Sequence, residues 1–123
     1  MEKIHGWTGT LLRIELPSGK VSKTKTMDYA EDFIGGRALA SRIYWDEVSQ
    51  IRSAFEPENI MMIMPGPLGG TPATACSRWV ITSKSPQLYP DQYGFGNAGG
   101  FLGAAIKFAG YDGLIIKGRA NAP

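Results

Sequence analysis

Residues 60–82 read Ile60-Met61-Met62-Ile63-Met64-Pro65-Gly66-Pro67-Leu68-Gly69-Gly70-Thr71-Pro72-Ala73-Thr74-Ala75-Cys76-Ser77-Arg78-Trp79-Val80-Ile81-Thr82. The opening apolar run has no alternation and follows the turn Pro57-Glu58-Asn59. That pattern predicts a short strand buried on both faces. From Pro65 to Ala75 glycine and proline forbid regular structure, and Ser77 to Thr82 predicts a return to extended chain. Ser85-Pro86 closes that second strand. A strand, an irregular Gly/Pro loop and a second strand set the frame for the rest.

Toward the N-terminus, Gly9 to Thr26 predicts a hairpin. Leu12, Ile14 and Leu16 alternate with Leu11, Arg13 and Glu15, and Pro17-Ser18-Gly19 supplies the turn. The return strand, Val21 to Thr26, carries two lysines, as expected near a sheet edge. Asp28-Tyr29-Ala30-Glu31 has the spacing of a capping box, which predicts a short helix from Tyr29 to Gly35-Gly36. A second helix follows over Ala38 to Val48, with Ala40, Tyr44 and Val48 in one row beside Leu39 and Ile43. Toward the C-terminus, Tyr93-Gly94-Phe95-Gly96-Asn97-Ala98-Gly99-Gly100 precedes a helix from Phe101 to Ala109, stopped by Gly110. Leu114 to Lys117 is a last strand. The expected fold is α+β, rich in sheet with two or three helices, as one unit over residues 1–123.

Glycine (16) and proline (8) make up about a fifth of the 123 residues, against ~12% in average chains. No Gly-X-Y period is present, and 43% of the residues are hydrophobic, so neither collagen nor disorder accounts for the excess. Net charge is +2 without a run of one sign, which disfavours nucleic-acid binding. A single cysteine, Cys76, makes no internal disulfide and no zinc or iron–sulfur site alone. No apolar run spans a bilayer, and Met1-Glu2-Lys3-Ile4-His5 lacks the apolar core of a signal peptide. A cytoplasmic protein away from membranes is expected.

Three glycine-rich loops are candidate sites. Gly94-Phe95-Gly96-Asn97-Ala98-Gly99 matches G-x-G-x-x-G literally and opens a predicted helix, where backbone N–H groups receive anions. The segment before it, Leu88 to Tyr93, contains Pro90 and makes a poor central strand. The expected acidic residue downstream is replaced by Arg119, which would suit the 2′-phosphate of NADP. A purely structural glycine turn competes with this reading. Gly66 to Ala75 lacks the Gly-Lys-Ser/Thr ending of a nucleoside triphosphate loop. Ile34-Gly35-Gly36-Arg37-Ala38 reads either as an anion site or as one helix stop followed by a helix start. Arg78 begins an apolar strand and is either a functional cation or a solvated edge residue. Cys76 fits a small buried residue. His5 has no triad partner spacing, and the carboxylates form no hydrolytic pair. Trp7, Trp45 and Trp79 fit core or interface positions.

Four blocks occur in order: Gly6-Trp7-Thr8-Gly9 leading into an Arg-Ile strand; Gly35-Gly36-Arg37-Ala38-Leu39-Ala40; Gly66-Pro67-Leu68-Gly69-Gly70-Thr71 with Ser77-Arg78; and Gly96-Asn97-Ala98-Gly99-Gly100-Phe101 followed by Lys107-Phe108-Ala109-Gly110-Tyr111-Asp112. Together they resemble the N-terminal domain of the tungsten-containing aldehyde ferredoxin oxidoreductases over nearly the whole chain, and the last block is the most specific. The resemblance implies a sheet-built saddle under a bis-pterin tungsten or molybdenum cofactor. It implies that Arg78 lies between the pterin and a 4Fe-4S cluster. The Asn97 carbonyl would hold the magnesium bridging the pterin phosphates, with Ala98 and Gly99 against the cofactor. Ala38 departs from the family's usual glycine. The cluster cysteines, and the acidic and histidine residues near the metal, belong to later domains of the family. What is expected is therefore a partial cofactor-binding domain, as fragment or subunit, that is not catalytic alone. Its partner would be a chain carrying the remaining domains, or a second copy. The whole would oxidise aldehydes to carboxylates and pass electrons to ferredoxin. A cofactor-free assembly module, and an NADP-binding fragment resting on Gly94, Gly96, Gly99 and Arg119, are the competing expectations.

Overall fold

Alternation in the first strand gives the sheet its two sides: Leu11 is fully buried and Arg13 half-buried on one, while Leu12, Ile14 and Leu16 take the other. A computed structural model describes residues 5–48 and 53–122; the expectations for Met1–Ile4 and Pro123 lie outside them. The elements are β1 (Thr10–Glu15), β2 (Lys20–Lys25), α1 (Met27–Phe33), α2 (Gly36–Glu47), β3 (Ile60–Pro65), β4 (Trp79–Ser85), β5 (Gln92–Ala98), α3 (Leu102–Phe108) and β6 (Gly113–Lys117). Six strands form one mixed sheet in the order β2-β1-β6-β3-β4-β5. The expected mixture of sheet and three helices is what the chain adopts.

β1 and β2 form the predicted antiparallel hairpin, with the lysine-bearing β2 on the sheet edge. The last strand, β6, inserts between β1 and β3, parallel to the first and antiparallel to the second. The middle of the sheet therefore closes only when the C-terminal strand arrives.

The core lies under α1 and α2. Leu39, Ala40 and Ile43 of α2 meet Leu11, Ile60, Met62, Met64, Val80 and Ile115 from four strands. Burying each of these large side chains contributes about 1.5–3 kcal/mol. Trp7, Tyr29, Phe33, Tyr44 and Val48 pack around them, which bears out the row predicted for α2. Arg13, facing the helices, donates to both carboxylate oxygens of Glu47 near the end of α2 and to Thr24 Oγ1 at 2.6 Å.

Three expectations are corrected. No capping box opens α1: its N-cap is Thr26, without a side-chain cap bond, and Asp28 lies inside the first turn. The Thr26 hydroxyl donates to Asp112 instead. β3 is not buried on both faces: Met62 and Met64 are buried, while Met61 is 37% exposed. Finally, the literal G-x-G-x-x-G is not a loop. Gly94 pairs with Ser83 and Gly96 with Ile81 inside the edge strand β5. Ladder hydrogen bonding holds these glycines extended, so no phosphate-cradling loop forms there and the basis for an NADP site is gone.

Candidate functional site

Asp112, placed just before β6, gathers the sheet end where β3 finishes and β4 begins. Its Oδ1 accepts the Thr8 N–H at 2.8 Å and Lys107 Nζ at 2.6 Å. Its Oδ2 accepts the Gly9 N–H at 2.8 Å and Thr26 Oγ1 at 2.6 Å. Lys107 Nζ also donates to the Gly6 carbonyl at 2.7 Å. Both side chains are more than nine-tenths buried. Burial alone would raise the Asp112 carboxyl, but hydrogen bonds from Lys107, Thr26 and Thr8 outweigh it and hold the group below its ordinary range. One carboxylate thus joins the Gly6–Gly9 segment, the start of α1 and helix α3.

The glycine-bearing loops converge on the same end. Trp7 Nε1 donates to the Ile34 carbonyl at 2.8 Å, tying the N-terminal segment to the α1–α2 junction. Gly6 and Gly35 both abut Pro67, where an added Cβ would come within 3.2 and 3.1 Å of its ring atoms. Gly70 lies against Phe108 and Lys107 of α3, and Gly103 against Trp79 and Pro65. These close approaches explain why the blocks at residues 6–9, 35–36, 66–71 and 96–112 form one structural unit.

Arg78 stands at the last step of the β3–β4 loop. It is exposed, outside β4, and makes no hydrogen bond or ion pair among the described residues. The strand starts one residue later than expected, at Trp79, so Arg78 stands just before it and is solvated, as one of its two expected readings has it. Trp79 pairs with Ala98 at the end of the β4–β5 ladder, and Asn97 pairs with Val80. Arg78 and Gly99 each lie one residue beyond the Trp79–Ala98 pair. Trp79 Nε1 donates to the Gly99 carbonyl at 3.0 Å and fixes the turn. Among the described residues, none beyond the immediate chain neighbours has an atom within 4 Å of where a Cβ would stand on Gly99 or Gly100. The four predicted residues Arg78, Asn97, Ala98 and Gly99 therefore share one ladder end, where the Gly99-Gly100 turn, held by the Trp79 indole, stands beside a cation unpaired among the described residues.

Other expected features are placed elsewhere. Arg119 lines a groove with Leu16, Met61 and Ile116 on the side of the sheet opposite α1 and α2. Cys76 is half-buried, its Sγ donating to the Thr74 carbonyl at 3.3 Å. Trp45 is 80% exposed, while Trp7 packs on the core. Among the described residues no cluster of three His, Cys, Asp or Glu could hold a metal ion, and no helix is long and apolar enough to cross a membrane. Residue-level reading missed the Lys107–Asp112 pair, although both residues were in the most specific block. Arg37, the cation of the third glycine-rich loop, stacks its guanidinium 4.2 Å from the Phe95 ring centroid, two positions before Asn97, a contact the sequence does not announce. Neither contact follows a local spacing rule.

Residues 11–123 match the model of the aldehyde ferredoxin oxidoreductase N-terminal domain. The chain is 35% identical to a tungsten-containing aldehyde ferredoxin oxidoreductase of Thermococcus kodakarensis, over 98% of its own length and 20% of the relative's. It is similar, at 35% identity over 98% of the chain and 19% of the relative, to an aliphatic sulfonate oxidoreductase, WOR-like subunit, of Pyrococcus furiosus. Its fold superposes on the active-site complex BamBC of benzoyl coenzyme A reductase in complex with 1,5-dienoyl-CoA. That match has a TM-score of 0.87 and 34% identity, over 95% of the chain and 18% of the solved one. The chain thus spans about a fifth of the length of the relatives it matches.

Proposed function

The chain belongs to the aldehyde ferredoxin oxidoreductase family, whose N-terminal-domain model it matches over residues 11–123, and from that membership we propose that it supplies one wall of a bis-pterin tungsten or molybdenum site. The observation that supports this most is the ladder end where unpaired Arg78 stands beside the open Gly99-Gly100 turn. A flat, phosphate-bearing group needs a cation and a backbone free of side chains, and this end offers both.

Arg78 would provide the cation. Its exposed guanidinium has five donors in a rigid plane and no competing carboxylate among the described residues. Asn97 would offer its backbone carbonyl to magnesium, and Ala98 and Gly99 would lie against the cofactor. Trp79 holds the turn by its bond to the Gly99 carbonyl, so the surface is formed before anything binds. The Asp112–Lys107 node acts at one remove: it orders the surrounding loops and touches no ligand. Such a cofactor would supply two-electron oxidation of an aldehyde to a carboxylate, with the added oxygen from water, protons released to solvent, and the two electrons passed through an iron–sulfur cluster to ferredoxin. The cluster and the substrate pocket belong to the remaining four-fifths of such an enzyme, on this polypeptide or on a partner. This chain's share is binding, orientation and electrostatics, in the cytoplasm, and it does not catalyse alone.

The test is the Arg78→Gln variant in the host's own assembly, with the pterin released by oxidation and counted by its fluorescence. The expected result is loss of most bound pterin with an intact, soluble protein. Full pterin content in the variant would overturn the assignment of Arg78.

A further inference from the structure

We propose that Arg37 is a second anion-holding residue of the cofactor site, binding a phosphate of the pterin, and that Phe95 positions it from the neighbouring strand. The inference rests on the cofactor reading above and extends it to the third glycine-rich loop.

Arg37 lies in the first turn of α2 and is exposed. That is the unfavourable end of a helix for a cation, because the N-terminal dipole is itself positive. No acidic residue shares the turn, and the N-cap, Gly35, brings no side-chain bond. Other arginines packed in this layer have carboxylates: Arg13 has Glu47, and Arg42 has Asp46. Arg37 has none. Glu31 and Asp32 of α1 make no ion pair with it, and Asp91, just before Gln92 on β5, accepts the Ala54 N–H. The one electrostatic contact of its guanidinium among the described residues is the Phe95 ring, with Cζ 4.2 Å from the centroid. A ring face attracts the charge but supplies no lone pair, so the five N–H donors have no acceptor among the described residues. A residue set against the helix dipole and left unpaired breaks a local rule in the way that binding residues do.

The register carries this cation to the predicted site. Phe95 pairs with Thr82 and Asn97 with Val80. Thr82 and Val80 are buried beneath the helices, so Phe95 and Asn97 share that side of β5, one pleat repeat or about 7 Å apart. Arg78 stands opposite Gly99, two positions after Asn97. Asn97 is therefore bracketed along the ladder by two guanidinium groups, neither with a counter-ion among the described residues. Residues 92–98 themselves carry no charge. Two like charges at one ladder end repel, and a multiply charged anion between them reverses that cost. The cofactor reading puts phosphate beside Asn97, and a planar guanidinium with free donors suits phosphate oxygens.

The test uses the host's own assembly, washed anaerobically, with the retained pterin counted over time by its fluorescence after oxidation. Arg37→Gln is expected to lose pterin about tenfold faster than the wild type, as for one charge-assisted hydrogen bond. Arg37→Met separates ligand binding from packing, since it keeps an aliphatic chain against the Phe95 ring without the charge. It should lose pterin as fast as Arg37→Gln, while Arg37→Lys, which keeps the charge, slows the loss. Phe95→Leu should behave as Arg37→Gln, and Phe95→Tyr as the wild type. Wild-type retention in Arg37→Gln, or recovery by Arg37→Met, would overturn the assignment of Arg37. Wild-type retention in Phe95→Leu would overturn that of Phe95. Pterin lost from Arg78→Gln but held by Arg37→Gln removes this proposal and leaves the cofactor reading standing. A wild-type assembly without pterin removes both.

Discussion

Asp112 satisfies two backbone N–H groups, a hydroxyl and an ammonium with one carboxylate. Removing its charge leaves Lys107 buried without its counterion. Asp112→Asn is therefore expected to cost about 3–5 kcal/mol in chemical unfolding. The pH dependence has a definite sign. The carboxyl titrates lower folded than unfolded, so its contribution is complete above the unfolded value, near ~4, and disappears as pH falls through the folded one. Unfolding curves between pH 6 and pH 3 should show that loss in the wild type and a flatter slope in Asp112→Asn. Arg78 behaves oppositely, because it is exposed and unpaired among the described residues. Arg78→Gln should leave unfolding free energy within about 0.5 kcal/mol, separating its ligand role from any structural one. Arg78, Asn97, Ala98 and Gly99 were legible because motif blocks name residues. The Asp112 node was not, since it joins positions 86 to 104 residues apart and no local pattern encodes that separation.

At the level of elements, propensity found the hairpin, both early helices and the Leu114–Lys117 strand, because each has its own turn or stop chemistry. It failed where tertiary contacts decide. Gly94 and Gly96 suggest a loop locally, but pairing with Ser83 and Ile81 makes them strand. Thr26 caps α1 only in position, since Asp112 takes its hydroxyl. Two substitutions probe this packing. Thr82 is 1% exposed on the helix-covered face, and its Oγ1 has no hydrogen-bond partner among the described residues. Thr82→Val replaces that hydroxyl with a methyl and should raise stability by about 1 kcal/mol, read from the denaturation midpoint. Gly113 is buried where β6 enters the sheet, and a Cβ there would stand 2.1 Å from Met64 Sδ and 3.2 Å from the Ile63 carbonyl. Gly113→Ala is expected to cost about 1–3 kcal/mol by overpacking, measured the same way.

For the molecule as a whole, glycine and proline serve two surfaces. One is the loop edge around Asp112, where Gly6, Gly35, Gly70 and Gly103 allow close approach. The other is the β5 end of the sheet face opposite α1 and α2, where Gly94 and Gly96 lie. Among the described residues the apolar run at Ile60–Met64 is buried on the face under α2 and partly exposed on the other, with Met61 the most exposed. The chain spans about a fifth of the length of the relatives it matches. The most direct test is elemental analysis of the chain purified with its native associates under anaerobic conditions. Tungsten or molybdenum together with pterin, both lost from Arg78→Gln, is the predicted result. A fully associated assembly containing neither metal would contradict the account.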